Sequence, residues 1–237
     1  MKRISLFVMM LACVGMIHAK SVINYVYDDT QMYTAGNGST QETLHAIDID
    51  WVSGNISVIY GDVQVPTWTE KPAPSDDEPQ LKMHYSIQHG KLVIKYCQSG
   101  RWKIKKDSWK KDFVLTLPRN TAYRDIEIET VNGDVTVSVR ADEVSVETVN
   151  GDVQVQNLMP AREIDIESVN GSLTIVQPQD KGFLVDYETV VGKFSSDIQG
   201  TYSSSRDEGH FYTDGAPETE ISMETVNGSI QIKKAKK

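Results

Sequence analysis

A five-residue phrase, Glu-Thr-Val-Asn-Gly with Ser once in place of Thr, constrains the fold more than any other feature. It occurs at residues 129–133, 147–151, 167–171 and 224–228, with weaker copies at 50–54 and 188–192. From Gly133 onward the glycines are 18, 20, 21 and 36 residues apart. The repeat unit is therefore about 20 residues long, and the last gap contains one diverged unit.

Short segments of alternating aliphatic and polar residues flank each copy. Ile126 and Ile128 enclose a glutamate before the first phrase, and Val135 and Val137 enclose a threonine after it. This alternation is typical of strands with one buried and one solvated face. The predicted inward positions are Ile126, Ile128, Val135, Val137, Val144, Val146, Val153, Val155, Ile164, Ile166, Leu173 and Ile175.

A period near 20 residues is too short for a helix pair or a propeller blade, and it fits one coil of an all-β solenoid. In that fold the phrases stack, and their asparagine side chains form a ladder along one corner. The corner residues would be Asn132, Gly133, Asn150, Gly151, Asn170, Gly171, Asn227 and Gly228.

Asn-Gly between alternating strands is also the strongest short signal for a two-residue hairpin. A hairpin at Asn132 would pair Thr130 with Val135 and Ile128 with Val137. The pattern therefore leaves an antiparallel hairpin meander or sandwich as the alternative fold.

The first nineteen residues have the features of an export signal. Two basic residues follow Met1, residues 4–17 are mainly apolar, and Ala19 is a small residue suited to cleavage. We therefore expect a signal peptide at 1–19 and a location in the periplasm, at the cell surface or outside the cell.

Two cysteines raise separate questions. Residues 11–13, Leu-Ala-Cys, resemble the end of a lipobox, so lipidation at Cys13 is the alternative to cleavage after Ala19. We expect contact with a membrane only in that case. Cleavage after Ala19 leaves Cys97 as the remaining cysteine, which excludes a disulfide within the mature chain. Cys97 ends a strand-like segment and is predicted to be buried.

The mature chain, residues 20–237, is predicted to be a single β-repeat domain. Residues 21–43 would cap its N-terminal end, and 44–65 would form the first coil. Residues 66–112 contain four prolines between positions 66 and 79 and then a hairpin pattern, so they are predicted to be a loop and hairpin insertion. The regular stack would occupy 113–232, followed by a basic tail at 233–237.

The chain resembles a bacterial "putative adhesin" family of exported β-strand repeats, whose members carry T-V-x-G-D-type units after a signal peptide. The resemblance rests on Trp-Val-Ser-Gly-Asn-Ile-Ser-Val at 51–58, on the strand at 113–118 and on the four phrases. It covers most of the mature chain. It implies a right-handed β-solenoid on the envelope or outer surface, with unknown function and no catalytic residues.

Charge argues against nucleic acid as a partner. Cleavage of the predicted signal peptide removes Lys2 and Arg3. The mature chain then has 22 of the 24 basic residues and all 33 acidic ones, which gives a net charge of −11. A surface this acidic repels polyanions unless a local patch reverses the field.

One such patch is predicted at residues 101–111, where six cations and two tryptophans lie together. Aromatic faces beside cations suit sugar rings, acidic polysaccharide or lipid headgroups. The alternative is a solvated loop whose tryptophans cover the core edge. The candidate binding residues are Trp102, Trp109, Arg101, Lys103, Lys105 and Lys106.

The stacked phrases would also align Glu129, Glu147 and Glu167, which suggests a calcium site. The glycine-aspartate motif of calcium-binding β-rolls is missing, so we predict neither a metal nor a cofactor.

The sequence favours an exported, non-catalytic surface or envelope protein that binds a partner or has a structural role, with glycan or envelope polymer as the candidate partner. An envelope sensor or scaffold that binds a surface protein is the second hypothesis. A polysaccharide-lyase-like enzyme is the third, although Arg140 and Arg162 lie scattered in links between strands.

Overall fold

The computed structural model describes residues 22–28, 30, 32–103, 109–177, 182–203, 208–213 and 218–235. Within these ranges Pro79–Leu81 forms a single 3-10 turn, and no helix is long and apolar enough to cross a bilayer. The predicted signal peptide and Cys13 lie outside the described residues.

The described strands are β1 (Val22–Tyr25), β2 (Thr34–Ala35), β3 (Gly38–Ser39), β4 (Ala46–Ser53), β5 (Ile56–Gly61), β6 (Thr67–Lys71), β7 (His84–Gln88), β8 (Lys91–Lys95), β9 (Gly100–Lys103), β10 (Asp112–Pro118), β11 (Tyr123–Asn132), β12 (Val135–Val139), β13 (Ala141–Asn150), β14 (Val153–Asn157), β15 (Glu163–Asn170), β16 (Leu173–Gln177), β17 (Phe183–Val191), β18 (Phe194–Ser196), β19 (Thr201–Tyr202), β20 (Glu208–Tyr212), β21 (Thr219–Asn227) and β22 (Ile230–Lys234).

These strands form two large sheets and one small one. The larger sheet has eleven strands in the order β19-β20-β17-β21-β15-β13-β11-β4-β8-β7-β2, and the second has nine in the order β18-β22-β16-β14-β12-β5-β10-β6-β3. Strands β1 and β9 form a separate antiparallel pair. Each phrase joins a strand of the first large sheet to a strand of the second, so a coil consists of a strand, the Asn-Gly corner and another strand.

Successive coils pair in parallel and in register, which is the solenoid-like arrangement. Strand β11 pairs in parallel with β4 and β13, and Asn132 lies opposite Asn150. Strand β12 pairs in parallel with β5 and β14 rather than with β11. The hairpin predicted at Asn132 is therefore absent from these described strands, which rules out the meander alternative.

The core lies between the two large sheets. All twelve predicted inward positions between Ile126 and Ile175 are buried, which confirms that prediction. Burial of a large aliphatic side chain contributes about 1.5–3 kcal/mol before entropy is subtracted. The aliphatic interior is thus the main source of attraction between coils.

The corner of each coil is joined to the next by backbone and side-chain hydrogen bonds. The amide of Gly133 donates to the carbonyl oxygen of Asn150 at 2.9 Å. The side chain of Asn150 donates to Asn132 at 2.9 Å, Asn170 donates to Asn150 at 3.0 Å, and Asn227 donates to Asn170 at 2.9 Å. We call these asparagines and the glycines that follow them the corner ladder.

Close backbone approach explains the glycines of the corner ladder. A methyl carbon built on Gly171 would overlap the carbonyl oxygen of Gly151, and one built on Gly151 would overlap that of Gly133. Gly171 has no φ in the left-handed region, so packing between coils excludes a side chain there irrespective of φ.

The last coil in the sequence lies inside the stack rather than at its end. Strand β21 pairs in parallel with both β15 and β17, and β22 pairs in parallel with both β16 and β18. The coil β17–β18 has Val191 where the corner ladder requires an asparagine, so it cannot continue the row of side-chain amides. The coil β21–β22 carries Asn227 and can bond to Asn170.

Antiparallel strands cover both large sheets at one end of the stack and the eleven-stranded sheet alone at the other. At one end, β7 and β2 extend the larger sheet, and β6 and β3 extend the smaller one. Residues 66–112 thus contribute strands to both sheets, and Thr67–Lys71, expected in a loop, forms β6 between Pro66 and Pro72. At the other end, β20 and β19 cover β17.

Substitution of Gly171 by alanine tests the close approach at the corner. The added methyl group meets backbone atoms that cannot rotate away, so we expect a loss of at least about 3 kcal/mol in the free energy of unfolding. Gly36→Ala is the matched control, because its methyl group meets nothing nearer than Lys82 Cδ at 3.9 Å although φ is +95°. Backbone strain alone should cost about 1–2 kcal/mol there. Urea unfolding that shows an equal or smaller loss for Gly171→Ala would contradict this packing.

Candidate functional site

The basic–aromatic segment, residues 101–111, begins on strand β9. Trp102 lies opposite Ile23 of β1, and Arg101 lies opposite Asn24. The indole nitrogen of Trp102 donates to the carbonyl oxygen of Gln98 at 2.8 Å, and its half-buried side chain packs against the core. The neighbouring Arg101 and Lys103 side chains are exposed. Because side chains alternate along a strand, Arg101 and Lys103 point to one face of β9 and Trp102 points to the other.

The far end of the segment is described from Trp109 onward. Trp109 is half-buried and Lys110 is exposed. The candidate residues Lys105 and Lys106 lie outside the described residues. Of the predicted binding residues, the structure brings Arg101, Trp102 and Lys103 together on one strand.

Lys111 is buried, unlike the exposed cations Arg101, Lys103 and Lys110 of the same segment. Its side chain is 1% exposed and forms an ion pair with Glu70, whose side chain is also 1% exposed. The distance from Lys111 Nζ to Glu70 Oε2 is 2.7 Å. Its ammonium group donates to the carbonyl oxygens of Leu81 at 2.8 Å and Tyr96 at 2.6 Å, and lies 4.2 Å from the centroid of the Tyr96 ring. Burial lowers the pKa of Lys111, and Glu70 opposes that shift.

The position of Lys111 in the stack explains why it is buried. Its backbone amide donates to Ser53 at 3.0 Å, as Gly54 donates to Asn132 at 2.9 Å, so Lys111 occupies the place that glycine holds in the other corners. Beyond β10 the sheet continues with antiparallel β6, so no further parallel coil crowds this corner. A side chain fits there, and Glu70 of β6 meets it. The available sequence signal was the position of Lys111 just before the alternating strand at 113–117.

The acidic face is the solvent side of the larger sheet between β4 and β17. Parallel register places one carboxylate per strand in a continuous row. A second row, two residues upstream, alternates carboxylates with two serines. The first row is Asp50, Glu129, Glu147, Glu167, Glu224 and Glu188, and the second is Asp48, Glu127, Ser145, Asp165, Ser222 and Asp186.

Proximity and partial burial raise the pKa values of these carboxyl groups. Burial, followed by the charges of Asp50 and Glu147, raises the pKa of Glu129 to about 7. Burial and the charge of Asp165 raise the pKa of Glu167 to about 7. Neighbouring strands are about 4.8 Å apart, so like charges in a row repel.

Cations lie at the margin of the acidic face. The Lys95 ammonium is 3.3 Å from Asp50, and that of Lys91 is 2.8 Å from Asp48. Within the described ranges, no three carboxylate, imidazole or thiol groups are placed to hold a metal ion, so the calcium hypothesis gains no support from the geometry.

The solvent side of the nine-stranded sheet has a different chemistry. Its central register row carries hydroxyl and amide side chains. These residues are Ser57, Thr136, Gln154, Thr174, Gln231 and Ser195. The two broad faces are thus acidic and neutral, whereas Arg101, Trp102 and Lys103 lie on β9, in a separate sheet.

Stacked parallel coils joined by a corner ladder define a solenoid-like β-repeat protein. A family model described as "Toastrack DUF4097" matches residues 77–175 and 138–233, which together cover more than half of the 237 residues. The chain belongs to this family. The T-V-x-G-D form of the repeat in the resemblance stays a prediction.

Two solved structures were found to be similar to this chain. One, described as a "putative cell adhesion protein" from Clostridium sporogenes ATCC 15579, has a TM-score of 0.65 at 14% identity and covers 85% of this chain and 100% of that chain. Another, a "putative adhesin" from Bacteroides fragilis NCTC 9343, has a TM-score of 0.38 at 12% identity and covers 86% and 98%. The first similarity shows the fold alone. No curated protein matches the sequence.

The acidic rows predict that stability falls as pH rises. The folded-state pKa values of Glu129 and Glu167, about 7, lie above the ordinary value of 4.5. The folded state therefore binds protons more tightly than the unfolded state does. The contribution of this tighter binding to the free energy of unfolding is lost as pH increases from about 4.5 through about 7. Thermal unfolding between pH 5 and pH 8 should show the midpoint falling.

Removal of a single charge from the row should make stability fall less steeply as pH rises. Glu129→Gln should raise stability at pH 8 by up to about 1 kcal/mol after solvent screening, because it relieves repulsion from Asp50 and Glu147. Glu42→Gln, which removes the same charge from an exposed loop, is the control. Equal effects of the two variants, or stability that rises with pH over this range, would contradict the assignment.

Proposed function

We propose that the chain is an exported, non-catalytic surface or envelope protein that binds glycan through the basic–aromatic segment. The observation that carries the proposal is that β9, a strand of a two-stranded sheet, holds exposed Arg101 and Lys103 next to half-buried Trp102, with the cations on one face and the indole on the other. A sugar ring packs on the indole, and the cations at the neighbouring positions attract hydroxyl or carboxylate groups of the same polymer as it crosses the strand.

Anchoring at both ends supports a binding role for the segment. Pairing of β9 with β1 and the hydrogen bond from Trp102 to Gln98 hold its beginning. The buried ion pair of Lys111 with Glu70 holds its end. Residues held in this way lose less conformational entropy when a ligand binds.

Electrostatics favours an extended glycan over nucleic acid. The acidic face repels polyanions at long range, and salt at physiological ionic strength screens that repulsion beyond about 8 Å. An acidic or neutral sugar chain that contacts the local cations is compatible with this field. A nucleic acid carries a phosphate at every nucleotide and would meet repulsion along its length.

The lyase-like alternative gains little support from the arginines suggested for it. Arg162 is paired with Glu143, and its second guanidinium nitrogen lies 4.0 Å from Glu163. A guanidinium held by two carboxylates is poorly placed to abstract a proton from a sugar.

The proposed export depends on residues outside the described ranges. Cleavage after Ala19 would release a mature chain that begins at Lys20, whereas lipidation would make Cys13 the mature N-terminus. Mass spectrometry of the mature protein distinguishes the two. A sensor or scaffold that binds a surface protein is the alternative function, and it predicts a co-purified protein without glycan binding.

We also infer that the coils wind in a right-handed sense with about 20 residues each. Parallel strands joined by a crossover are right-handed in about 98% of cases. Paired asparagines lie 18 residues apart between β11 and β13 and 20 apart between β13 and β15.

A glycan array probed with residues 20–237 tests the proposed function. Trp102→Ala combined with Trp109→Ala should weaken the strongest glycan signal by about tenfold or more, because buried aromatic anchors dominate such contacts. Tyr212→Ala, an exposed aromatic residue on β20, is the matched control and should bind as the unmodified chain does.

A charge variant distinguishes loss of binding from loss of folding, which the tryptophan variant alone does not. Arg101→Glu combined with Lys103→Glu changes exposed side chains only, and it should abolish binding to acidic glycans while sparing neutral ones. Binding that survives unchanged in both variants would reject this segment as the site. Failure of the unmodified chain to bind any glycan would reject glycan as the ligand.

A further inference from the structure

Strand β18 ends the nine-stranded sheet and has one neighbour. Among the described strands it pairs with β22 alone, through Phe194, Ser195 and Ser196. Residues 190–193 and the side chains of Ser195 and Asp197 are exposed. The larger sheet continues beyond β17 to β20, but that pairing covers residues 184–188 and stops before the corner. One edge of the last coil is therefore accessible along β18.

Hydrogen bonding to β22 determines which backbone groups face this edge. The amide of Ile230 donates to Lys193, and the amide of Asp197 donates to Ile232. The odd-numbered residues from 193 to 197 therefore direct their backbone groups toward β22. Because backbone groups alternate along a strand, those of Phe194 and Ser196 point to the opposite side. They form a short row of donors and acceptors of the kind that attracts another strand.

The sequence around this edge is complementary to itself. Residues 193–197 read Lys-Phe-Ser-Ser-Asp, with opposite charges at the two ends. An antiparallel pairing of two copies centred on Ser195 sets Lys193 of each copy opposite Asp197 of the other. It also sets Phe194 opposite Ser196, the two residues whose backbone groups are directed outward. One register therefore satisfies both the hydrogen bonds and the charges.

Apolar side chains lie beside the same edge. Val190 and Val191, at the corner before β18, are 68% and 63% exposed, and Tyr202 is 51% exposed. The Phe194 ring stacks on Tyr187 with centroids 3.9 Å apart, and Tyr202 packs edge-on against Phe194 at 5.8 Å. This packing holds the strand in place for pairing, and the exposed valines add apolar surface around it.

We propose that the β18 edge binds the β18 edge of a second copy of this chain. The contact is isologous, with a two-fold axis at Ser195, and it joins two nine-stranded sheets into one continuous sheet. Each copy contributes the outward backbone groups of Phe194 and Ser196 and one half of two equivalent Lys193–Asp197 ion pairs. The basic–aromatic segment lies toward the other end of each stack, so the dimer would present two copies of it.

Sedimentation equilibrium of residues 20–237 over a concentration series is the first test. We expect a reversible monomer–dimer equilibrium. Lys193→Asp alone and Asp197→Lys alone should each raise the dissociation constant by roughly tenfold, because each creates two like-charge pairs across the axis. The double variant, with both residues exchanged, should restore dimerisation because it re-forms both pairs in reverse.

Cross-linking at the axis is the second test. Residues opposite each other in a non-hydrogen-bonded antiparallel pair have Cα atoms about 4.5 Å apart, which is compatible with a disulfide. Ser195→Cys should therefore form a disulfide-linked dimer under mild oxidation. Gln154→Cys, exposed on the same sheet, is the control and should not. Cys97 is buried and common to both variants.

Two outcomes would overturn the proposal. The chain could remain monomeric up to millimolar concentration with no cross-link through Ser195→Cys. Alternatively, it could form a dimer that none of the charge variants affects. Neither outcome bears on glycan binding, so this proposal and the proposed function fail independently.

Discussion

The fold depends on a contact between backbones at the coil corner. Each corner glycine donates its amide hydrogen to the coil on one side, and a carbonyl oxygen of the coil on its other side lies so close that it leaves no room for a β-carbon. This contact fixes the register between coils, because a shift of one residue would place a side chain where only glycine fits. The asparagine amides repeat the same register one residue earlier. The aliphatic interior supplies the attraction, and the corner determines which residues face each other.

Fixed register has electrostatic consequences. A repeated glutamate becomes a row of carboxylates, since in-register pairing sets the glutamate of each phrase opposite that of the neighbouring coil. Neighbouring carboxylates in the row repel each other, and partial burial strengthens this repulsion because less water screens the charges. The other broad face repeats hydroxyl and amide groups at its central positions. Arg101 and Lys103 lie on β9, in a separate sheet outside this repeat, so the proposed binding role belongs there rather than to the repeated faces.

Much of the fold could be predicted from the phrase and its flanking alternation. Together they identify the inward side chains, the corner residues and the rows of acids, because these depend on local periodicity. The position of the coil β21–β22 could not be predicted, since stacking order depends on which free edges meet. Val191 in place of asparagine was the one local sign that β17–β18 ends the ladder. Burial of Lys111 also escaped prediction, because its partner Glu70 lies 41 positions earlier in a segment whose prolines suggested a loop.

The most direct test of this arrangement is the detection of hydrogen bonds at the corner by NMR, through scalar couplings from an amide nitrogen to the carbonyl carbon that accepts its hydrogen. The stacking order predicts a coupling from Gly171 to Asn227 and another from Gly228 to Val191. If the coils stacked in chain order, Gly171 would instead couple to Val191. Detection of that coupling, with no coupling from Gly171 to Asn227, would contradict the account.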